Sequence, residues 1–177
     1  FSTTNSMPYL FEDPFITTGA FAHGIWHEFP GDSALRAGEL YVLALQLRLA
    51  ITDRLAFIAT KDGYAWLRPG SNSQVPHDDG FFDITAGFKY ALIDNPEDGF
   101  ILTPSLRFDL PVGENGLFSG NGSGVAIPAV SSALAAGPVN LIAGFGAQLP
   151  FDNQKESTSV FYNLHVDTNV LEFLVPF

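Results

Sequence analysis

ELYVLALQLRLAITDRLAF, residues 39–57, alternates between two kinds of side chain. Its apolar positions are Tyr41, Leu43, Leu45, Leu47, Leu49 and Ile51, and the positions between them include Ala44, Gln46, Arg48 and Ala50. A period of two over about ten residues is typical of a strand with one apolar face and one polar face. Because a transmembrane β-strand needs about 9–11 residues with this alternation, the stretch predicts a strand between lipid and a lumen.

The remainder of the chain predicts further strands of the same kind. Residues 81–92 give a second clear example, with Phe82, Ile84 and Phe88 on the apolar face and Lys89 on the polar face. Period-two alternation with turn residues on either side supports each assignment. The predicted strands cover residues 17–29, 39–51, 55–67, 81–92, 100–110, 125–136, 139–149 and 159–168, and residues 171–177 begin a ninth.

The connections between these strands alternate in length. Short turns are predicted at 52–54, 94–99, 137–138 and 167–169, and longer loops at 31–38, 68–80, 111–124 and 150–158. Short turns on one side and long loops on the other are typical of outer-membrane barrels. We therefore expect an all-β, antiparallel, transmembrane up-and-down β-barrel over residues 16–177, with about eight strands plus a partial ninth. Since closure needs an even number, either the tail is a stub or the sequence is a fragment of a larger barrel.

Two further features qualify this prediction. Residues 1–15 are irregular, and the Glu12-Asp13-Pro14 sequence resists both helix and strand interiors. We expect this segment to lead into the first strand or to plug the mouth of the barrel. Pro104 lies within the predicted strand 100–110, where a proline argues against a central position in the hydrogen-bond ladder.

The composition excludes several classes of function. The 177 residues carry a net charge of −11, with only eight basic residues and no cluster of them, so no nucleic-acid partner is expected. The absence of Cys excludes disulfides, thiolate metal sites and a cysteine nucleophile. The sequence contains no run of about 18 apolar residues, so no transmembrane helix is predicted. The opening Phe1-Ser2-Thr3-Thr4, without Met, is expected of an exported protein whose signal peptide has been removed.

The alternate positions that face inward on the predicted strands carry polar and charged side chains. In a soluble core such charges would be costly, whereas in a lumen they are hydrated or paired. We interpret them as a pore lining that tunes solute selectivity, or alternatively as a salt-bridge network that plugs a closed barrel. The candidate pore-lining residues are Gln46, Arg48, Thr60, Asp62, Asp83, Lys89, Arg107, Asp109, His165 and Asp167.

No catalytic or metal site is expected. His23 and His27 are four residues apart on a predicted strand, about 13 Å at a rise of about 3.3 Å per residue, which is too far to share an ion. His165 and Asp167 form a candidate hydrogen-bonded pair, but no Gly-x-Ser-x-Gly elbow supplies a nucleophile. We therefore expect neither an enzyme nor a cofactor.

Several segments resemble a known family. They are FEDP at 11–14, LRLAITDRL at 47–55, GFFDITAGFKYALID at 80–94 and LRFDLPVG at 106–113. Together they are similar to the transporter-type outer-membrane β-barrels grouped with the MetA-pathway-of-phenol-degradation proteins. The resemblance covers most of the chain and implies a bacterial outer-membrane channel for small or hydrophobic compounds. Members of the family are usually longer than this sequence.

The predicted function is the passage or binding of small solutes in the bacterial outer membrane, without covalent chemistry. Membrane lipid and small solutes are the expected partners, with envelope proteins or further copies of the chain as candidate protein partners. Two alternatives remain open. One is a structural envelope barrel that acts as an anchor or partner in a larger assembly, and the other is an exported, soluble β-sandwich or lipocalin-like binding module.

Overall fold

The computed structural model describes residues 10–95, 97–117 and 119–168, and these residues form an all-β antiparallel structure, as the alternation predicts. A 3₁₀ turn, Asn115–Leu117, is the helical element of this part of the chain. The strands are β1 (Gly19–Glu28), β2 (Glu39–Ala50), β3 (Leu55–Arg68), β4 (Asp78–Phe81), β5 (Ile84–Tyr90), β6 (Ile93–Asn95), β7 (Phe100–Leu110), β8 (Val125–Ala136), β9 (Val139–Pro150) and β10 (Ser159–Thr168).

Eight long strands form one continuous sheet in the order β1-β2-β3-β5-β7-β8-β9-β10. The short strands β4 and β6 lie off this path and pair with β3 and β7. Each long strand runs antiparallel to its neighbours, so the chain runs up and down through the sheet. In the described residues β1 and β10 are the two ends of the path. The predicted ninth strand, 171–177, lies outside the described residues.

The sheet is curled into a half-barrel around the segment of residues 10–15, which we call the inner segment. Arg48 on β2 and Lys89 on β5 contact Glu12 of this segment. Thr103 on β7 donates a hydrogen bond to its Pro14 carbonyl. Contacts extend to β8 and β9, where Ala133 and Ile142 pack against Phe11. Because one short segment contacts five strands of one sheet, the face that it occupies must be concave.

The two faces of the sheet differ in polarity. On β2 the residues from Leu43 to Leu49 on the odd parity are exposed, and Arg48 on the even parity is buried. The same division recurs on β7, where Leu106 is exposed and Arg107 is buried. Apolar side chains therefore cover the convex face, while charged side chains are buried on the concave face. This is the reverse of the usual arrangement in a soluble domain.

A β-bulge in β3 changes the predicted assignment of its faces. Leu45 pairs with Asp62, but Leu47 pairs with Ala59, so β3 holds one residue more than β2 over this interval. Beyond the bulge Tyr64 lies opposite Leu43 of the convex face. In the unbroken alternation predicted for residues 55–67, Tyr64 shares the inward parity of Thr60, and the extra residue reverses that placement because a shift of one residue exchanges the faces.

The predicted strand 81–92 is interrupted in the structure. β4 ends at Phe81 and β5 begins at Ile84, and Phe82 packs against the buried Leu35 cluster instead of joining Ile84 on the convex face. The outward prediction for Phe82 was therefore wrong, since the chain kinks between two strands.

Pro104 has a central position despite its missing N–H. It pairs with Val130 of β8, but on its other side β5 reaches only to Ser105 and β6 only to Leu102. The proline therefore lies opposite the interruption between β5 and β6, where a gap in the ladder tolerates it.

Connections at the two ends of the strands differ as predicted. Two of the short turns, 51–54 and 137–138, lie at one end, which we call the turn end, and the longer connections lie at the other, which we call the loop end. At the loop end Gly70 N donates to Leu35 O (2.8 Å) and Glu114 N donates to Phe81 O (2.8 Å). A buried apolar cluster holds these loops together: Leu35, Ala65, Leu67 and Leu117.

Candidate functional site

Two carboxylates of the inner segment are buried against two basic side chains of the sheet. Glu12 Oε1 lies 2.9 Å from Arg48 Nε and 2.8 Å from Lys89 Nζ. Asp13 Oδ2 lies 2.9 Å from Arg48 Nη1, and Asp13 Oδ1 lies 3.2 Å from Lys89 Nζ. All four side chains are at most 4% exposed. We call these four residues the ion cluster.

The strand register brings the basic side chains together. Arg48 pairs with Ile58, Ile58 with Gly87, and Gly87 with Arg107, so the two arginines lie in one row across β2, β3, β5 and β7. Lys89 is two residues from Gly87 on the same face of β5. Its neighbours in the adjacent row are Ala56 and Ser105, which are small and leave room for long basic side chains above the sheet.

Two backbone carbonyls anchor the inner segment on either side of the ion cluster. Arg107 Nη2 donates to Leu10 O at 2.6 Å, and Thr103 Oγ1 donates to Pro14 O at 2.7 Å. Lys89 Nζ also donates to Asp13 O at 3.0 Å. Side chains of three sheet residues thus satisfy backbone carbonyls that would otherwise be buried without a partner.

The apolar side chains of the inner segment pack at the β8–β9 side of the concave face. Phe11 is buried against Ala133 and Ile142, with Phe15 beside it. The Phe11 ring also lies over Gly144, and a Cβ at Gly144 would be only 2.7 Å from Phe11 Cε2. Gly144 therefore provides the space that the phenyl ring occupies.

The charges of the ion cluster balance. Two carboxylates face one guanidinium and one ammonium, so the buried group is neutral as a whole when all four side chains are ionised. Burying charges is costly, and only close pairing with further hydrogen bonds offsets the loss of hydration. Removal of one partner from such a cluster leaves an uncompensated buried charge, which is far more costly than removal of a surface ion pair.

Four of the predicted pore-lining residues meet at the inner segment. Arg48, Lys89 and Arg107 contact the segment directly, and Thr60 Oγ1 accepts a hydrogen bond from Arg107 Nη1 at 3.3 Å. The structure thus places these four residues around the protein's own inner segment. Their role as a pore lining stays a prediction.

A second group of the predicted residues lies apart from the ion cluster. Gln46 lies on the concave parity of β2, opposite Phe21 of β1. Asp62 lies at the bulge of β3, where its backbone pairs with Leu45 and its carboxylate accepts a hydrogen bond from the Thr85 backbone near the buried Asp109. His165 and Asp167 lie on the concave parity of β10, with His165 Nε2 3.7 Å from Asp167 Oδ2, and both are partly exposed.

The remaining predicted residues, Asp83 and Asp109, line a polar cleft of about 330 Å³ at the loop end. Asp83 Oδ1 accepts hydrogen bonds from Gly113 N (3.0 Å) and Gly120 N (2.8 Å), so this carboxylate organises the loop after β7. Asp109 is buried at the end of β7. The cleft is also lined by Ser119, Asn121, Gln148, Lys155 and Glu156.

Sequence reasoning missed Glu12, Asp13 and Thr103 as members of the site. The signal for the first two is a pair of adjacent acids between Phe11 and Pro14, in a segment that cannot join the sheet. The inward positions of Arg48 and Lys89 on separate strands require compensating charges, and these two acids supply them. Thr103 carries no such signal, because its role depends on where the Pro14 carbonyl falls.

In residues 10–95, 97–117 and 119–168, no group of three His, Cys, Asp or Glu side chains has the geometry to hold a metal ion. His23 and His27 are both on the concave parity of β1, opposite Ala44 and Leu40. His27 contacts Phe29 edge-on, with ring centroids 4.5 Å apart.

No family model, curated protein or solved structure matches the chain. Within the described part of the chain, no helix has the length and apolar character needed to cross a membrane.

Proposed function

We propose that this chain forms the wall of an outer-membrane β-barrel channel that passes small solutes without covalent chemistry. The observation that carries the proposal is the inverted polarity of the sheet, with ion pairs buried on the concave face and large apolar side chains exposed on the convex face. In an aqueous environment an apolar surface of this extent is unfavourable, whereas lipid would cover it.

The apolar band has the height that a bilayer requires. From Tyr41 to Ile51 the chain advances about ten residues, or about 34 Å, which is about 26 Å along a barrel axis at a strand tilt of about 40°. Outer-membrane barrels have an apolar band of about 25 Å. The exposed side chains of this band on four of the strands include Leu43, Leu45, Leu47, Leu49, Phe88, Leu106, Phe108, Val160, Tyr162 and Leu164.

Aromatic residues border this band at the loop end. Trp26 pairs with Tyr41, and Tyr41 pairs with Trp66, so three aromatic residues form one row across β1, β2 and β3. The Arg68 guanidinium lies 5.7 Å from the Tyr41 ring centroid at the same level. Aromatic rings near a charged side chain suit the boundary between hydrocarbon and headgroups.

The direction of the strands is compatible with closure. β1 and β10 run in opposite directions, since eight long strands alternate along the path. An antiparallel contact between these strands, or with additional strands between them, would complete a barrel with the even strand number that bacterial barrels use. The resemblance to the MetA-pathway-of-phenol-degradation type of transporter is part of the same proposal.

A structural envelope barrel is the second candidate, and the inner segment is the observation that favours it. Glu12 and Asp13 occupy the concave face and are buried there with Arg48 and Lys89. A barrel whose lumen stayed filled in this way would conduct poorly and would serve as an anchor or as part of a larger assembly.

Gel mobility in detergent, with and without boiling, tests the barrel. A band that shifts on heating, from protein that precipitates in plain buffer, is the expected result. A soluble monomer without a heat shift would instead support a soluble β-sandwich or lipocalin-like module. Conductance in a planar bilayer then separates the two barrel candidates, because the channel passes current and the structural barrel does not.

A further inference from the structure

We propose that Arg48, Lys89 and Arg107 form a binding site for dianionic solutes, which Glu12 and Asp13 occupy in this structure, and that a short dicarboxylate displaces the inner segment from it. The inference rests on the proposed function, for which it names the class of solute.

The basic residues already bind two carboxylates. Glu12 Oε1 contacts both Arg48 Nε (2.9 Å) and Lys89 Nζ (2.8 Å), and the two oxygens of Asp13 divide between the same two side chains. Lys89 Nζ donates charge-assisted hydrogen bonds to Glu12 Oε1 and Asp13 Oδ1, the strong type that recognises carboxylates, and Arg48 contacts the same two residues as ion pairs. Two neighbouring carboxylates bridged by the same two cations match a flexible dicarboxylate more closely than a single acetate-like ion.

The inner segment is held without strand pairing. Its residues have no partner in any described ladder, and its carbonyls are bound by the side chains of Arg107, Thr103 and Lys89. The segment can therefore leave the concave face without breaking a strand pairing of the sheet.

Departure of the segment would expose positive charge at one level of the concave face. Arg48 and Arg107 are in one row, and Lys89 is in the next row towards the turn end. The acidic residues Asp83 and Asp109 lie towards the loop end, where they line the polar cleft. Without Glu12 and Asp13, the two cations of the ion cluster lose the carboxylates that compensate them.

With this arrangement, the inner segment is expected to leave when an anion takes its place and not to leave on its own. Breaking the ion pairs of Glu12 and Asp13 is costly, so the segment stays in place until another anion compensates Arg48 and Lys89. A neutral solute supplies no such compensation. Because a ligand shifts a conformational equilibrium only by its differential affinity for the two states, a dicarboxylate is expected to favour the displaced form and a sugar is not.

Cysteine labelling of the inner segment tests the proposal. The sequence contains no Cys, so Phe11→Cys provides a single thiol at a buried position that is not part of the ion cluster. The folded protein in detergent is mixed with a maleimide, and the initial labelling rate is measured against succinate at constant ionic strength. At about ten times the dissociation constant of succinate for the displaced form, the displaced population and hence the initial labelling rate should rise by about tenfold.

Two comparisons define the outcome. Sucrose, or chloride at the same ionic strength, should leave the rate unchanged. In the same Phe11→Cys background, Lys89→Gln should abolish the succinate dependence, while Lys155→Gln, which changes an exposed lysine, should retain it. A labelling rate that does not respond to succinate in the Phe11→Cys protein would overturn the proposal, as would an equal response to sucrose.

The experiment does not depend on the channel itself. Labelling is measured in detergent and requires no ion flow, so a protein without conductance can respond to succinate and a conducting protein can fail to respond. If Lys89→Gln does not fold, glutarate and acetate are compared in the Phe11→Cys protein. Half-saturation by glutarate at a much lower concentration than by acetate supports a dicarboxylate site, and equal half-saturation contradicts it.

Discussion

Lys89 Nζ lies 2.8 Å from Glu12 Oε1, and this contact joins residues that are 77 positions apart in the sequence. Lys89 belongs to the wall of the half-barrel, and Glu12 belongs to the inner segment that the wall encloses. The Lys89 side chain has no exposed area, so its end of the contact is shielded from solvent. The inner segment and the sheet are therefore coupled through charge, and the stability of one depends on the other.

Lys89→Gln should destabilise the folded protein by about 3–5 kcal/mol, because it leaves Glu12 and Asp13 buried with only Arg48 to compensate them. Chemical unfolding in detergent micelles, followed by tryptophan fluorescence, measures the change. Lys155→Gln removes a lysine from an exposed loop position and should stay within about 0.5 kcal/mol of the original protein. Equal effects of the two substitutions would contradict the buried ion cluster.

Glu12→Gln combined with Asp13→Asn should release the inner segment, since the amides cannot compensate Arg48 and Lys89. In the Phe11→Cys background, the maleimide labelling rate should increase without any added anion. Asp53→Asn combined with Glu97→Gln makes the same change of charge at two exposed turn positions and serves as the control. A labelling rate that is no higher than in this control would show that the carboxylates do not hold the segment.

Gly144→Ala should weaken the docking of Phe11, because the new Cβ would lie 2.7 Å from Phe11 Cε2 and 2.8 Å from Asn163 Oδ1. Overpacking of this kind costs about 1–3 kcal/mol. Gly24→Ala on β1 is the matched control, since its Cβ would have no heavy atom within 4 Å. Unfolding midpoints in detergent distinguish the two variants, and a Gly144→Ala protein as stable as Gly24→Ala would argue against the position of the phenyl ring.

Leu45→Arg should destabilise the protein by about 2–4 kcal/mol if this residue meets lipid near the midplane of the bilayer. Leu45 is 40% exposed on the convex face, and Gln46 follows it on the concave face. Gln46→Arg should be mild, because its position lies on the concave face, away from the proposed lipid. Reversible unfolding in liposomes compares the two variants, and equal destabilisation would be inconsistent with the proposed lipid-facing surface.

The course of the strands was predictable because alternation is a local property. The bounds predicted for 100–110, 125–136 and 159–168 agree with β7, β8 and β10, since each strand is bordered by turn residues. The two faces of β2 were predictable for the same reason, because the polarity of each side chain indicates the face on which it lies. These features depend on neighbours in sequence and on nothing farther away.

Other features could not be predicted because they depend on distant parts of the chain. The bulge opposite Leu45 and Leu47 exchanges the two faces in the later part of β3. No residue type in this stretch indicates an extra position in the ladder. Phe82 turns inward because the Leu35 cluster offers it an apolar contact. Glu12 and Asp13 could be recognised as irregular chain, but their partners are on β2 and β5 and become neighbours only when the sheet curls.

Lipid contact of the two tryptophans tests the central claim most directly. Trp26 and Trp66 are the only tryptophans of the sequence, and they are 60% and 36% exposed on the convex face. Their fluorescence is measured after reconstitution into liposomes of brominated and of ordinary phosphatidylcholine. Strong quenching by the brominated lipid, with little quenching by acrylamide in the aqueous phase, is the predicted result. Fluorescence that acrylamide quenches and brominated lipid leaves unchanged would contradict a lipid-facing convex surface.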